Sequence, residues 1–465
     1  SEGKNLGKID TMRYAPLGAA SYIHSNMMPW AIFYIYKFVS VFSNDISLTS
    51  AAIIAPVIFF IISTIGLFFF LYILFSFKFS KEKSLIIATI ASFFYVFIPS
   101  MLQRTIAGVP ELESLGMMWF WFAFLFFALA WKQYSKRRMV IYGLLAGFFA
   151  GAMSWVWGGY RYIYMTLALA TFLCFLFNIE KRKNLIVFGS FLFSGVIIEL
   201  AKTKSIIPIL TGFSDVGFAL SILFIMLINF ILFETKIKKI FTEKIFRRIK
   251  LPENILSIII FFILACLILL LLQPNFILDL FSRIVESLLY PFGRGRVGLT
   301  VAENRAPYFT EVLAEFGSLV WLFLIGLIIM FYEAVKHFNP KKRFWLNFFF
   351  ILFIFSFIFS RISPDNILNG QNFISKTLYF GGLIVFGLVL LWIYIKAWSK
   401  KDEKTIEDFS KINFASLILF SFSFWAVISM RGAVRLFFII APIIIIVASY
   451  ALMKIIEYRK TRDDV

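Results

Sequence analysis

The stretch from Leu436 to Met453, LFFIIAPIIIIVASYALM, runs for 18 residues without one charged side chain. A helix of that length spans the hydrocarbon core of a bilayer, which is about 30 Å thick. Comparable runs recur along the chain: apolar residues make up 61% of its 465 residues and charged residues 15%. A soluble domain cannot cover that much apolar surface, so the sequence predicts a protein that crosses the membrane many times.

These runs are too long and too continuous for transmembrane β-strands, which alternate in polarity over about ten residues. The predicted fold class is therefore an all-α polytopic membrane protein. A shorter aromatic segment, 29–42, is predicted to be an interfacial or re-entrant helix. Thirteen spans are predicted, near 50–77, 84–101, 115–131, 139–157, 160–178, 184–200, 214–233, 253–273, 317–335, 345–360, 377–396, 412–430 and 433–453.

The basic residues predict which loops share a side of the membrane. Seven loops hold 30 of the 46 Lys and Arg residues, and all seven fall on one side if thirteen spans alternate. This is the positive-inside pattern, which places these loops in the cytoplasm. The net charge of +20 thus indicates topology and contact with anionic membrane lipids, and no nucleic-acid partner is expected.

Four regions follow from this topology. Residues 1–49 are predicted to be the end of an external loop with the interfacial helix, and 50–273 to be spans with an external loop at 102–114. Residues 274–316 form a long external loop, and 317–465 return to spans. The chain starts at Ser1 without a Met, so we expect sequence upstream of it, and Val465 is expected in the cytoplasm.

The candidate functional residues lie in the predicted external loops. The stretch Thr300 to Arg305, TVAENR, places Glu303 in the long polar loop, with Arg294 and Arg296 nearby. The loop 102–114 carries Glu111 and Glu113, whose oxygens are suited to Mg²⁺ or Mn²⁺. The alternative is that these two carboxylates are solvated charges favoured by a helix N-terminus.

Three other external features each leave two interpretations open. Trp155 to Arg161, WVWGGYR, is either a membrane aromatic belt or a close backbone approach to a neighbour or ligand. Arg431 and Arg435 either snorkel to the interface or grip a phosphate. His24 is external and could touch a metal site, although a lone histidine is weak evidence for one.

These patches resemble the membrane portion of the catalytic subunit of oligosaccharyltransferases, of the archaeal type. Arg104-Thr-Ile-Ala-Gly with Glu111-x-Glu113 is similar to the family's second acidic motif, and Trp157-Gly-Gly-Tyr160 to its tryptophan-glycine-glycine turn. Thr300-Val-Ala-Glu303-Asn304 matches the loop glutamate signature, and Val434-Arg435-Leu436 the functional arginine. Arg13 to Gly18, RYAPLG, resembles the end of the first external loop. All five lie in family order.

The resemblance implies a GT-C type glycosyltransferase. It would transfer an oligosaccharide from a dolichyl phosphate or pyrophosphate to the Asn of an Asn-X-Ser/Thr sequon, with Mn²⁺ or Mg²⁺ as cofactor. Glu111, Glu113 and Glu303 would be metal ligands, and Glu303 would also hold the acceptor amide. Arg435 would bind the lipid phosphate, and the implied substrate contacts extend to Trp157, Tyr160 and Asn304. The active site would face the extracytoplasmic side.

The sequence also departs from the family pattern. The family's first-loop Asp and its C-terminal Trp-Trp-Asp domain are not in this sequence, so we expect a partial chain. Glu111 stands where Asp is usual, and two extra spans appear around the stretch 361–370. Another polyprenyl-phosphate-sugar transferase, such as a protein O-mannosyltransferase, is the alternative enzyme. A lipid or solute transporter is the non-enzymatic alternative, and it would predict charges near the bilayer midplane.

Overall fold

A computed structural model describes residues 9–11, 15–20, 27–43, 45–212, 216–235, 251–272, 279, 281–282, 284–286 and 301–463. Within these ranges the chain is almost entirely helical. The helices are Met28–Ser40 (α1), Leu48–Phe75 (α2), Lys81–Phe97 (α3), Pro99–Leu102 (α4), Leu112–Lys132 (α5), Lys136–Ser154 (α6), Tyr160–Leu176 (α7), Lys181–Thr203 (α8), Ile207–Thr211 (α9), Val216–Asn229 (α10), Glu253–Leu272 (α11), Phe309–Phe316 (α12), Leu319–Ala334 (α13), Pro340–Phe359 (α14), Phe373–Ser399 (α15), Glu403–Ser410 (α16), Phe414–Met430 (α17) and Phe437–Asp463 (α18).

Short elements complete the described chain. Ile9–Asp10 (β1) and Ala19–Ala20 (β2) form an antiparallel pair in which Ile9 lies opposite Ala20. A π-helical turn, Phe230–Glu234, continues α10. Two 3₁₀ turns, Ala302–Asn304 and Val434–Leu436, carry candidate site residues.

Each of the thirteen predicted spans coincides with a helix, and the predicted interfacial segment coincides with α1. Among the described residues, eight helices (α2, α5, α8, α10 with its π turn, α11, α14, α15 and α18) are long and apolar enough to cross a membrane. Up to two more crossings arise if α12 and α13, bent by 103°, and α16 and α17, bent by 73°, each form one span. The helices α3, α6 and α7 are shorter or less apolar, so a total of thirteen crossings stays a prediction.

The apolar stretch that defines the class forms the centre of the bundle. Helix α18 packs against α3, α13 and α17, and all of its residues from Phe437 to Ala451 are buried. A helix that is apolar on every side is stable only where neighbours enclose it. At Gly326 of α13 an added Cβ would lie 2.5 Å from the Val447 carbonyl oxygen, so the missing side chain permits this close packing.

The predicted cytoplasmic loops meet at one end of the bundle. Lys132 Nζ donates to Ser76 Oγ at 2.7 Å, joining two of these loops. Lys342 Nζ donates to Asp402 at 2.6 Å, joining two others. Lys183 lies 5.4 Å from the centre of the Tyr134 ring. The basic clusters at both ends of these contacts therefore share one side, as the charge pattern predicts.

Candidate functional site

Loops from distant parts of the sequence meet at the other end of the bundle. The Val434 N–H donates to the Arg305 carbonyl at 3.0 Å, which places the two 3₁₀ turns side by side. The Gly108 N–H donates to the Ile53 carbonyl at 2.9 Å, so the loop before α5 is held against the start of α2. Gly108 has φ +87°, a backbone conformation that favours glycine.

The guanidinium of Arg104 is the centre of this site. Its Nη2 lies 2.6 Å from Glu303 Oε2, and its Nη1 lies 3.7 Å from Glu111 Oε1 and 3.7 Å from Glu113 Oε1. One cation therefore contacts all three carboxylates that the sequence singled out. Two of these come from the start of α5 and the third from the turn Ala302–Asn304.

The electrostatics of the cluster keep Arg104 charged. Burial opposes the charged form of Arg104, but its hydrogen bond to Glu303 and the charges of Glu113 and Glu111 outweigh that effect. Together they hold the pKa of Arg104 above its ordinary value. The guanidinium thus carries its charge at every pH at which the protein is folded.

The three carboxylates differ in their access to solvent. The Glu113 side chain is 5% exposed, whereas that of Glu303 is 55% exposed. The helix dipole favours Glu113 in the first turn of α5, in line with the simpler interpretation of this residue. Contacts with both Arg104 and Arg435 add a role that a solvated helix-start charge does not have. Glu303 is the most exposed of the three carboxylates, followed by Glu111 at 42%, so both can be reached by a ligand.

The two candidate arginines have different environments. Arg435 Nη2 lies 3.5 Å from Glu113 Oε1, and its side chain is 35% exposed. Arg431 is only 7% exposed; it donates to Ser360 Oγ and stacks 4.1 Å from the centre of the Tyr379 ring. Arg435 is therefore the arginine that a phosphate can reach. Arg431 instead connects its own segment to Ser360 and Tyr379.

The tryptophan-glycine-glycine turn lies between the two helices that frame the site. The Trp157 ring meets Phe438 of α18 edge to face, with centroids 5.8 Å apart, and packs on Gly116 of α5. A Cβ on Gly159 would come within 2.0 Å of the Trp157 ring, so this position requires a glycine for packing. Tyr160 is buried, with Lys202 Nζ 5.3 Å from its ring centre.

The donor chemistry suits a divalent cation, because carboxylate oxygens are the ligands that Mg²⁺ and Mn²⁺ prefer. In the part of the chain that the structure describes, however, no three His, Cys, Asp or Glu side chains are close enough to hold a metal ion. Arg104 lies among the three carboxylates and supplies their positive charge. A bound metal would therefore share or replace the contacts that Arg104 makes.

Some sequence predictions fall outside the described residues, and one contact set was not foreseen. Thr300, His24, Arg294, Arg296 and Arg13 are not described. Asn304 lies in the Ala302–Asn304 turn beside Glu303, and its role as a substrate contact stays a prediction, as do those of Trp157 and Tyr160. Arg104 belongs to a motif that is visible in the sequence, but no role was predicted for it. Its link to Glu303 spans 199 positions, which no local pattern signals.

The described residues form a helical bundle with a polar site at one end and a buried final helix. Solved structures of an archaeal oligosaccharyltransferase share this fold.

AglB from Archaeoglobus fulgidus, in complex with an inhibitory peptide and a dolichol-phosphate, aligns with a TM-score of 0.59 and 17% identity over 98% of this chain and 45% of its own. The apo form of the Archaeoglobus fulgidus oligosaccharyltransferase aligns with a TM-score of 0.59 and 15% identity, over 98% and 46%. The form tethered to an acceptor peptide with the NVT sequon gives 0.57 and 15%, over 97% and 43%.

These likenesses establish the fold. The chain spans less than half the length of the oligosaccharyltransferases that it matches. No protein-family model matches the sequence, and no curated protein is similar to it in sequence. The structural alignments confirm, at the level of the fold, the predicted resemblance to the membrane portion of an archaeal oligosaccharyltransferase.

Proposed function

We propose that this chain carries the membrane-embedded part of an oligosaccharyltransferase active site. The reaction would transfer an oligosaccharide from a dolichyl phosphate or pyrophosphate to the side-chain amide of Asn in Asn-X-Ser/Thr. One observation carries the proposal. Glu111, Glu113, Glu303 and Arg435 come from three distant segments, and they meet around Arg104 at the end of the bundle opposite the basic loops.

Glu303 is the residue best placed to hold the acceptor amide. An amide nitrogen is a poor nucleophile because its lone pair is delocalised into the carbonyl. A carboxylate that accepts a hydrogen bond from the amide N–H orients the nitrogen. It also draws the proton towards itself, which makes the nitrogen a better nucleophile. Glu303 is bound to Arg104 through one oxygen and is more than half exposed, so it can accept that bond.

Arg435 supports the departure of the lipid phosphate. The new bond joins the amide nitrogen to the anomeric carbon, and the nitrogen gives up one proton to the carboxylate that binds it or to water. The bond that breaks joins that carbon to a phosphate oxygen, where negative charge accumulates. A guanidinium binds phosphate through two parallel hydrogen bonds and stabilises that charge. Arg435 lies in the 3₁₀ turn just before α18, at the end of the bundle that carries the three carboxylates. We place the active site on the extracytoplasmic face, since the basic loops occupy the opposite end.

Mn²⁺ or Mg²⁺ is proposed as the cofactor, and Glu111, Glu113 and Glu303 are the residues that would hold it. When bound, such an ion supplies a Lewis acid beside the acceptor amide and the donor phosphate. The residues of the chain contribute the rest. Glu113 and Arg104 fix the positions of Arg435 and Glu303 through their ion pairs.

The decisive experiment substitutes Glu303→Gln in the full-length protein and measures glycan transfer to a fluorescent Asn-X-Thr peptide. We expect kcat to fall by about a hundredfold, because the variant loses the charge that activates the amide. Asp45→Asn, an exposed carboxylate just before α2 at the same end of the bundle, is the matched control and should leave transfer unchanged. A Glu303→Gln protein with the turnover of the wild type would refute the role of Glu303. Wild-type transfer to a Ser or Thr hydroxyl in place of Asn would favour the O-mannosyltransferase alternative.

A further inference from the structure

The loop between α14 and α15 contacts the segment that follows Glu303. The Phe309 N–H donates to the Arg361 carbonyl at 2.9 Å, and the Thr310 N–H donates to the Ile362 carbonyl at 3.3 Å. Helices α14 and α15, which the sequence suggested to be additions to the family pattern, lie within the 98% of this chain that aligns with AglB, so that expectation is not supported. These two helices therefore reach the candidate site through the loop that joins them.

The side chain of Arg361 makes the strongest of these contacts. Its Nε donates to the Pro307 carbonyl at 2.9 Å, and its Nη2 donates to the Ala306 carbonyl at 3.2 Å. The guanidinium carbon also lies 4.3 Å from the centre of the Tyr308 ring. One rigid, planar group thus holds three consecutive residues, which an ammonium group cannot do.

Arg361 itself is fixed from the opposite side. The Ile362 N–H donates to the Leu368 carbonyl at 2.6 Å, closing the loop into a hairpin. Gly370 has φ +79°, and a Cβ there would lie 2.7 Å from Arg361 Cγ, so the backbone packs directly on the arginine stem. Arg431, bound to Ser360, holds the base of the loop. The loop is therefore a rigid platform.

The segment it holds leads directly to Glu303. The Arg305 carbonyl accepts the N–H of Val434, and Arg361 binds the next three residues. The turn that carries Glu303 thus leaves from a segment fixed on two sides. A shift of about 1 Å in a reacting group can lower a rate by about a hundredfold, so small movements of this segment matter.

We propose that Arg361 is a positioning residue, which sets the place of Glu303 against Arg104 by clamping residues 306–308. The inference rests on the proposed function, in which Glu303 holds the acceptor amide. It gives the loop between α14 and α15 a part in the active site.

The kinetic test compares Arg361→Gln, Arg361→Lys and the control Lys376→Gln in the full-length protein. The probes are a fluorescent peptide containing Asn-Val-Thr and lipid-linked oligosaccharide extracted from the source membranes. We expect Arg361→Gln to lower kcat by about tenfold to a hundredfold. The KM for the donor should be unchanged, because Arg435 is untouched. Arg361→Lys should restore part of kcat, and Lys376→Gln should behave as the wild type.

A second measurement tests the contact of Arg361 with residues 306–308 independently of activity. Hydrogen exchange of the amides in residues 301–311 should be faster by about tenfold in Arg361→Gln and unchanged in Lys376→Gln. Unchanged exchange would overturn the proposal. Faster exchange with an unchanged kcat would also overturn the positioning role and leave the proposed function standing. A wild type that transfers no glycan would count against the proposed function, and the exchange result alone would then decide whether Arg361 holds the loop.

Discussion

At the scale of single residues, the site depends on how one guanidinium serves three carboxylates. Like charges close together raise one another's energy unless an opposite charge lies among them. Arg104 meets that need at 2.6 Å from Glu303 and at 3.7 Å from the other two. A cation that cannot lose its proton keeps Glu303 ready for a ligand at any physiological pH.

Replacing Arg104 by Gln should make the cluster depend on metal. Without the shared cation the three carboxylates repel one another, and a divalent cation becomes the best remaining source of positive charge. We expect a larger Mn²⁺-dependent rise in Tm for Arg104→Gln than for the wild type, measured by thermal unfolding in detergent. An ion that binds only the folded state at a hundredfold excess over its Kd stabilises it by about 2.7 kcal/mol.

Arg182→Gln is the control for this measurement, because Arg182 pairs with Glu234 at 3.2 Å at the opposite end of the bundle. Its response to Mn²⁺ should equal that of the wild type. Equal Mn²⁺-dependent shifts in all three proteins would show that Arg104 does not occupy the place of a metal ion.

At the scale of elements, small residues decide how closely the helices approach. Gly143, Gly147 and Gly151 recur every fourth residue on α6 and face α8. A Cβ on Gly147 would lie 2.0 Å from the Phe191 carbonyl oxygen. Because lipid is as apolar as the helices, packing of this kind holds membrane helices together where the hydrophobic effect cannot.

Gly147→Ala should therefore destabilise the protein although alanine is the better helix former. The obstacle is a backbone carbonyl that cannot rotate away, so α6 and α8 must separate. We expect a lower Tm, and the comparison is Gly381→Ala, a helical glycine of α15 with no atom within 4 Å of an added Cβ. That control should be neutral or stabilising by about 0.5 to 1 kcal/mol. A Gly147→Ala protein as stable as the control would show that the seam is not tightly packed.

At the scale of the whole molecule, the positions of the helices could be predicted from the sequence, because they depend on local composition. All thirteen spans coincide with helices, because the length of an apolar run is visible in the sequence. The bends of 103° before α13 and 73° before α17 were not predicted. Both follow short amphipathic helices, α12 and α16, whose charges resemble those of a polar loop.

The site was predictable only in part, for a related reason. The resemblance identified Glu111, Glu113, Glu303 and Arg435 as members of one site, and the fold brings them together. The contacts of Arg104, Arg361 and Arg431 depend on tertiary pairing across tens to hundreds of positions. Without a related sequence to compare, each of these arginines looks like any loop charge near a membrane.

A substitution at the basic end of the molecule should change its stability without changing its activity. At the basic end, Glu333 of α13 binds Lys454 at 2.7 Å, Tyr450 at 2.8 Å and also Lys78, tying α13 and the turn after α2 to the central helix α18. Its side chain is 19% exposed; removing one partner of a fully buried ion pair costs about 3 kcal/mol or more, and solvent screening makes the cost here smaller.

Glu333→Gln should accordingly lower Tm by several degrees and leave kcat and KM for peptide transfer unchanged at temperatures below the unfolding transition. Glu407→Gln is the control, because Glu407 forms an ion pair with Lys411 within one helical turn but is 64% exposed. An exposed pair of this kind contributes little to stability, so Tm should barely move. If Glu333→Gln lowered kcat in the folded protein, the two ends would be coupled through α18, and the central helix would transmit changes to Arg435 as well as support it.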